Sequence, residues 1–389
     1  MRASRWIGLF GATGLVLGIC SPASAGVVVY EEGDKKIEIG ARIQLQYLYT
    51  DPSSSDAEDE IFFRRLRPYI AGTVSEKWWG KIQFDFGKSL DENEVAVKDA
   101  YVQYKGWEKM TLTIGNSKTP FSREFLTSSK RQQTVERGFV GDHNFGTPDC
   151  QLGLKLEGQN DSKKLTWAVA AGAEQHDPDI RRMDFDSPAN NAEDWNQGLV
   201  VAGRLDFHPQ GFVKFDQGDF HSDEVKYSFS LAAFSWSNDG DNNTRTDPAT
   251  GLSTSGSKAD LDSAEGLEVS AGLRGRGVSV DAEYHLISGD TVDPTLTGGL
   301  YKNGTTDLDK FQIEGGYMFK ESPFEFVGKW EMLDADNYQD AWEATEVGVN
   351  YFWNGHKVKV QLTYRMGENV FGVRGDDRDN IFLQWQFVF

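Results

Sequence analysis

The sequence predicts an all-β protein: a transmembrane antiparallel β-barrel of about sixteen strands with a third loop folded inward. Three observations carry that expectation. Segments that alternate strictly between apolar and polar residues recur from residue 37 to residue 389. Short connectors take turns with long acidic ones, as in barrels with turns at one end and loops at the other. The final segment, "NIFLQWQFVF", keeps its apolar face up to the terminal Phe389.

At the start of the chain, Arg2 and Arg5, an apolar run from Trp6 to Ile19 and "ASAG" read as an export signal cleaved after Ala25. The expected organisation is a signal peptide over 1–25 and one barrel domain over 26–389. After residue 25 no apolar run is long enough for a spanning helix. The 13% of aromatic residues must serve some other surface. Cleavage also removes Cys20, which leaves Cys150 as the sole thiol and rules out an internal disulfide.

The first strand is "IEIGARIQLQYLY", with Ile37, Ile39, Ala41, Ile43, Leu45, Tyr47 and Tyr49 on one parity and Arg42, Gln44 and Gln46 on the other. Further strands are expected near 61–74, 79–88, 95–105, 110–117, 150–159, 164–175, 197–208, 224–237, 264–274, 278–289, 308–319, 324–334, 342–353, 357–366 and 379–389. Fourteen or eighteen strands remain open, because 88–97 and 209–225 do not alternate cleanly. Short joints are expected at 106–109, 208–211, 274–277, 320–323 and 353–356, and long acidic loops at 51–60, 176–195, 237–261 and 291–307. A soluble sandwich also alternates, but its connectors would not alternate in length. An exposed apolar last strand would also invite aggregation unless closure removed the edge.

A basic residue on the lipid face costs roughly 2–4 kcal/mol near the midplane, so charges that alternate with apolar residues should face the lumen. This nominates Arg42, Arg204, Lys359 and Arg365, and from the second strand Arg65 and Arg67, with Arg64 snorkelling at the outer rim. Acids of the same parity, Asp85, Glu268, Asp281, Glu283 and Glu314, make the lumen mixed in sign. Sixteen strands enclose more space than side chains fill, so water passes unless something narrows the bore. The candidate is the connector after the fifth strand, residues 118–149.

The formal charge is −20, and −22 without residues 1–25, which argues against nucleic-acid binding. Yet Lys118, Arg123, Lys130 and Arg131 face only Glu124 between residues 118 and 134. The Debye length is about 8 Å at physiological salt, so acids on outer loops are screened while the nearest charges set the field in a narrow opening.

The stretches "FFRRLRPYIAGTV", "KDAYVQYKG", "LTIGNSKTPFSREFLTSSKRQQTVERGF", "QLGLKLEG", "VVAGRLDFHP" and "EVGVNYFWNGHKVKVQLTYR" resemble the phosphate-selective porin family, the porin O and P group of Gram-negative outer membranes. The resemblance implies a sixteen-stranded trimeric channel for small anions, inorganic phosphate or polyphosphate among them. It places Lys118, Arg123, Lys130, Arg131 and Arg137 of the loop and Arg65 and Arg67 of the wall on the anion path. The closing strand resembles those by which outer-membrane barrels are handed to their assembly machinery, through Phe389. Outer-membrane lipid and lipopolysaccharide are the remaining expected partners, with no cofactor and no metal.

Other functions make different demands on the sequence. In a general or weakly cation-preferring porin the loop cations would simply pair with Glu124, Glu136 and Asp142. An outer-membrane hydrolase needs a nucleophile, a base and an orienting group together, whereas the six histidines are scattered and none lies beside a serine motif. "DGDNNTRTD" at 239–247 has Asp239 and Asp241 at calcium-loop spacing but Thr244 where a glycine is required. A receptor coupled to an energy-transducing complex would need an N-terminal plug, for which the sequence leaves no room.

Overall fold

The alternating segments pair edge to edge in a computed structural model that describes residues 26–88, 95–190, 197–238, 245–246, 253–254 and 259–389. The signal-peptide segment 1–25 and most of the "DGDNNTRTD" stretch lie outside the described residues. The barrel strands are β1 (Lys35–Pro52), β2 (Glu58–Ser75), β3 (Trp78–Asp85), β4 (Ala96–Trp107), β5 (Met110–Lys118), β6 (Cys150–Gln159), β7 (Leu165–Pro178) and β8 (Gln197–Phe207). They continue as β9 (Lys226–Ser237), β10 (Leu261–Gly275), β11 (Val278–Thr291), β12 (Thr305–Met318), β13 (Phe324–Ala335), β14 (Trp342–Asn354), β15 (Val358–Glu368) and β16 (Arg378–Val388).

Each strand pairs antiparallel with its sequence neighbours, and β16 closes on β1 from Arg42 opposite Val388 to Pro52 opposite Arg378. The result is a closed sixteen-stranded antiparallel barrel. Among the described residues no helix is long and apolar enough to cross a membrane, so any crossing is made by strands.

Parity decides burial. On β8, Leu199, Val201, Leu205 and Phe207 are exposed while Val200, Ala202, Arg204 and Asp206 are buried. On β11, Ser279, Asp281, Glu283 and His285 are buried between apolar neighbours that are exposed or half-buried. The pattern puts the apolar face outward and the charged face inward, as a lipid-embedded wall requires. The outward faces also carry aromatic belts. At the turn end Tyr351 and Trp353 meet edge to face at 4.4 Å, and Phe319 and Phe326 at 5.4 Å. Near the loop end the Tyr284 hydroxyl donates to Asp309 at 2.6 Å.

Three expectations need correction. Arg64 does not sit at the outer rim. The ladder slips where Gln44 faces Arg65 but Leu45 faces Phe63, so Arg64 is the extra residue of a β-bulge and turns inward with Arg65. The expected four-residue joint at 208–211 is an eighteen-residue connector, 208–225, at the end otherwise closed by short turns. The acidic loop at 51–60 shrinks to 53–57 because β1 and β2 extend into it. Short strands outside the barrel wall were not expected, among them Val27–Glu32, which folds back on β1 through Gly33, whose φ of 58° suits a residue without a side chain.

Candidate functional site

The connector between β5 and β6, residues 119–149, is the third at the loop end, here the third connector, and is held by its backbone. Its N–H groups donate to carboxylates of the inward-facing wall. Arg123 and Glu124 donate to Glu283, each at 2.9 Å, Thr134 to Glu314 at 3.2 Å and Phe139 to Glu331 at 2.7 Å. Its carbonyls accept from wall amides and from the ammonium groups of Lys310, Lys329 and Lys359. The Gln132 carbonyl takes Lys359 Nζ at 2.7 Å, that of Gln133 takes Asn350 at 2.9 Å and Gln361 at 2.9 Å, and that of Lys130 takes Gln386 at 2.9 Å. Buried peptide groups need partners, and here the barrel supplies them from β11 to β16.

The apolar residues of the connector have a core of their own. Phe121, Phe139 and Phe145 are buried with Val200, Phe234, Trp236, Leu261, Ile287, Leu308 and Leu333, which are contributed by the loop-end halves of six wall strands. Met183 and Phe185 join them from a short strand, Met183–Asp186, in the β7 to β8 connector. That strand and the third connector exchange backbone bonds, with Met183 N donating to the Asn144 carbonyl at 3.1 Å and Phe185 N to that of His143 at 3.1 Å.

Connector 208–225 adds an anchor from the turn end. Gln217 receives the Gln133 N–H at 2.8 Å, donates to Glu314 at 2.7 Å, and donates its own N–H to the Arg131 carbonyl at 3.1 Å. Phe215 lies against the Arg123 guanidinium at 5.1 Å and that of Arg204 at 4.8 Å.

The cations nominated from the sequence divide into two sets. Arg123 is 1% exposed, pairs with Asp281 at 2.7 Å, and presses so close to Gly272 that a side chain there would clash. Arg131 pairs with Asp216. Arg204 pairs with Asp206 at 2.8 Å and Glu268 at 2.6 Å, Arg365 with Glu331 at 2.7 Å, and Arg67 with Asp85 at 2.6 Å. The second set has no carboxylate within ion-pair distance among the described residues: Arg42, Lys118, Lys130, Arg137 and Lys359. Arg42 donates to Ser128 at 3.2 Å and to Ser129. Lys118 donates to the Phe125 carbonyl and lies over that ring, and Arg137 donates to the Thr127 carbonyl at 3.0 Å. Arg65 is intermediate: it donates to Gln44 at 3.1 Å and reaches Glu136 at only 3.6 Å.

Within this second set and Arg65, the Nε atoms of Arg42, Arg65 and Arg137 are buried without a hydrogen-bond partner. Burial, reinforced by Arg42 and Arg131, lowers the Lys130 ammonium to about 8, while Asp216 opposes the shift. Burial also lowers Arg137, with Arg67 adding to the effect and Glu124 opposing it. Glu136 is lowered to about 2: Arg64 and Arg65 outweigh its burial. Positive charge thus gathers on β1, β2 and the facing side of the connector, and carboxylates gather on β10 to β14.

Glu268, Glu283 and His285 bring ligand-type atoms within 4.8 Å of one another. Those atoms are engaged: Glu268 accepts from Arg204, and Glu283 bonds His285 at 2.7 Å and the Arg123 N–H. One open cavity, of about 710 Å³, runs along β4 to β8, bounded by Lys118, Pro120 and Leu126 on one side and by Phe212 and Phe215 at the turn end.

Similarity searches agree with this architecture. OmpT of Vibrio cholerae superposes with a TM-score of 0.55 at 12% identity in its trimer form, covering 91% of this chain and 99% of that one. An OmpF of Salmonella typhi gives 0.55 at 14%, covering 93% and 100%. The anion-selective porin from Comamonas acidovorans gives 0.54 at 10%, covering 91% and 100%. An uncharacterised protein of Aquifex aeolicus (strain VF5) is 27% identical over 212 residues, so the match spans about half of each chain, 47% of this one and 48% of the relative. The profile of the phosphate-selective porin O and P family matches residues 37–370. The chain belongs to that family and is an outer-membrane barrel of the Gram-negative type, a channel rather than an enzyme.

Proposed function

We propose that this channel passes small anions by diffusion, with inorganic phosphate or polyphosphate its favoured class, and that residues 118–149 are an inward-folded third loop forming its constriction. The observation that carries the reading is the cluster of Arg42, Arg65, Lys118, Lys130 and Arg137, cations short of counter-charge, with three buried guanidinium N–H groups unpartnered. A guanidinium offers donors in a fixed fork that matches phosphate oxygens, and an ammonium adds a mobile point charge. In a narrow opening with low-dielectric walls such a cluster attracts anions over cations. Family membership and the fold shared with an anion-selective porin support the same reading.

Arg123, Arg131, Arg204 and Arg365 carry carboxylate partners and are assigned to holding the loop and wall, with Arg67 and Lys359 at the edge of the path. The same ion pairs favour a second reading, a general or weakly cation-preferring porin in which paired cations exert no net field. A homotrimer, contact with lipopolysaccharide, and delivery to the assembly machinery through Phe389 belong to the proposal. The trimer form of the Vibrio neighbour supports the first.

The test is the zero-current potential across a KCl gradient with the purified protein in a planar bilayer. Chloride crossing faster than potassium, with chloride current blocked by added phosphate, is the expected result. Potassium preference overturns it in favour of the second reading.

A further inference from the structure

At the rim of the open cavity, aromatic rings stand on the inward parity of two wall strands, where an ion path alone has no use for them. Trp79 and Lys81 alternate with outward Trp78 and Ile82 on β3, and Tyr101, Gln103 and Lys105 alternate with outward Val102 on β4. Trp79 and Tyr101 stand 5.8 Å apart. Lys105 Nζ lies over the Trp79 ring at 4.8 Å and has no carboxylate partner among the described residues. Tyr101, Lys105 and Lys118 line one cavity, and Phe215 closes it from the opposite side. Elsewhere on the inner wall large rings are covered, as Phe234 and Trp236 are by the loop core. Trp79 and Tyr101 are only half-buried.

We propose that the turn-side mouth of the pore is a binding subsite for organic anions with a planar ring, such as aromatic carboxylates. The ring lies against Trp79 and Tyr101, and the carboxylate is drawn to Lys105 and, deeper in, Lys118. Aromatic rings offer broad apolar contact with a preferred face geometry, and a cation held over a ring leaves its remaining donors free for an anion. Water-facing rings and an unpaired lysine together select for ligands that are both flat and negative. The subsite rests on the anion-channel reading and narrows it to a substrate class.

The experiment measures block of KCl current through single channels of the full-length protein by benzoate and by acetate, which carry the same charge and differ in the ring. Benzoate is expected to block at about tenfold lower concentration than acetate. The double variant W79A/Y101A should lose that preference while keeping the sign of the zero-current potential, and W79F/Y101F should retain it. K105Q should weaken block by both anions. Equal block by the two anions in an anion-selective channel overturns the subsite and leaves the channel reading standing. A preference that survives W79A/Y101A also overturns it. Potassium selectivity with no block by either anion overturns both.

Discussion

Glu331 on β13 accepts the backbone N–H of Phe139 in the third connector at 2.7 Å. With Glu283 and Glu314 doing the same for Arg123, Glu124 and Thr134, the bond explains why so many acids line a wall assigned to anion passage. Their lone pairs are directed to loop peptides; Arg365 pairs with Glu331, and the neighbouring acids Glu346 and Glu268 are met by Lys329 and Arg204. In the proposed reading the acids fix the loop, and the uncompensated cations on the other side give the path its positive sign.

Removing uncompensated cations should therefore matter more than removing paired ones. The triple variant K118Q/K130Q/R137Q is expected to lower the chloride-to-potassium permeability ratio about tenfold. R123Q, which leaves buried Asp281 with Arg274 alone, should cost about 3 kcal/mol of stability and change the ratio far less. Zero-current potentials and thermal unfolding, read as heat-modified gel mobility, separate the two effects.

Selectivity should also fall at alkaline pH. The Lys130 ammonium is lowered to about 8 by burial and by Arg42 and Arg131, so it is charged below that pH and neutral above it. Raising the pH from 7 to 9 removes positive charge from the path, and the anion preference should decline through that window. In K130Q the decline should be absent, a comparison made by repeating the zero-current measurement across the pH series.

Glu136 neutralises Arg64, at 2.8 Å, and part of Arg65, at 3.6 Å. E136Q frees both guanidiniums, so anion preference should rise while stability falls by about 3 kcal/mol, the cost of leaving buried charges unpaired. A fall in anion preference would place Glu136 outside the field that solutes meet.

Gln217 fastens the loop from the turn end through the Gln133 N–H and Glu314. Q217A removes both side-chain bonds, and the loop should fluctuate more because local opening costs less when anchoring bonds are lost. Greater open-channel current noise, at unchanged sign of selectivity, is the expected outcome.

The barrel was legible because lipid imposes one rule on every strand. Leu199, Val201, Leu205 and Phe207 announce their face without knowledge of any partner. Arg64 was misread because a bulge shifts parity by one residue, and period-two reasoning has no sign for the slip. The mixed parity of "IFFRRLR" was the available signal. Connector 208–225 was blurred because its contacts are long-range and it carries no period. The core inside the barrel had a trace: on β9, Leu231 and Ala233 alternate with Ala232, Phe234 and Trp236, so the strand is apolar on both faces and something had to cover the inner one. Which loop cations are free was not legible, since Asp281 and Asp216 are distant in sequence from Arg123 and Arg131.

Val27 pairs with Ile39, and Phe389 exchanges two backbone bonds with Ala41, so the folded-back strand and the last residues sit end to end along one side of β1. The first strand is thereby flanked along its length, and the circumference offers no loose thread from which to unravel. Unfolding must rupture an interior ladder before any of the sixteen wall strands can peel. The expected signature is a long-lived native state set by a high barrier, with detergent or denaturant acting over hours at temperatures where a sheet with a free edge would fray.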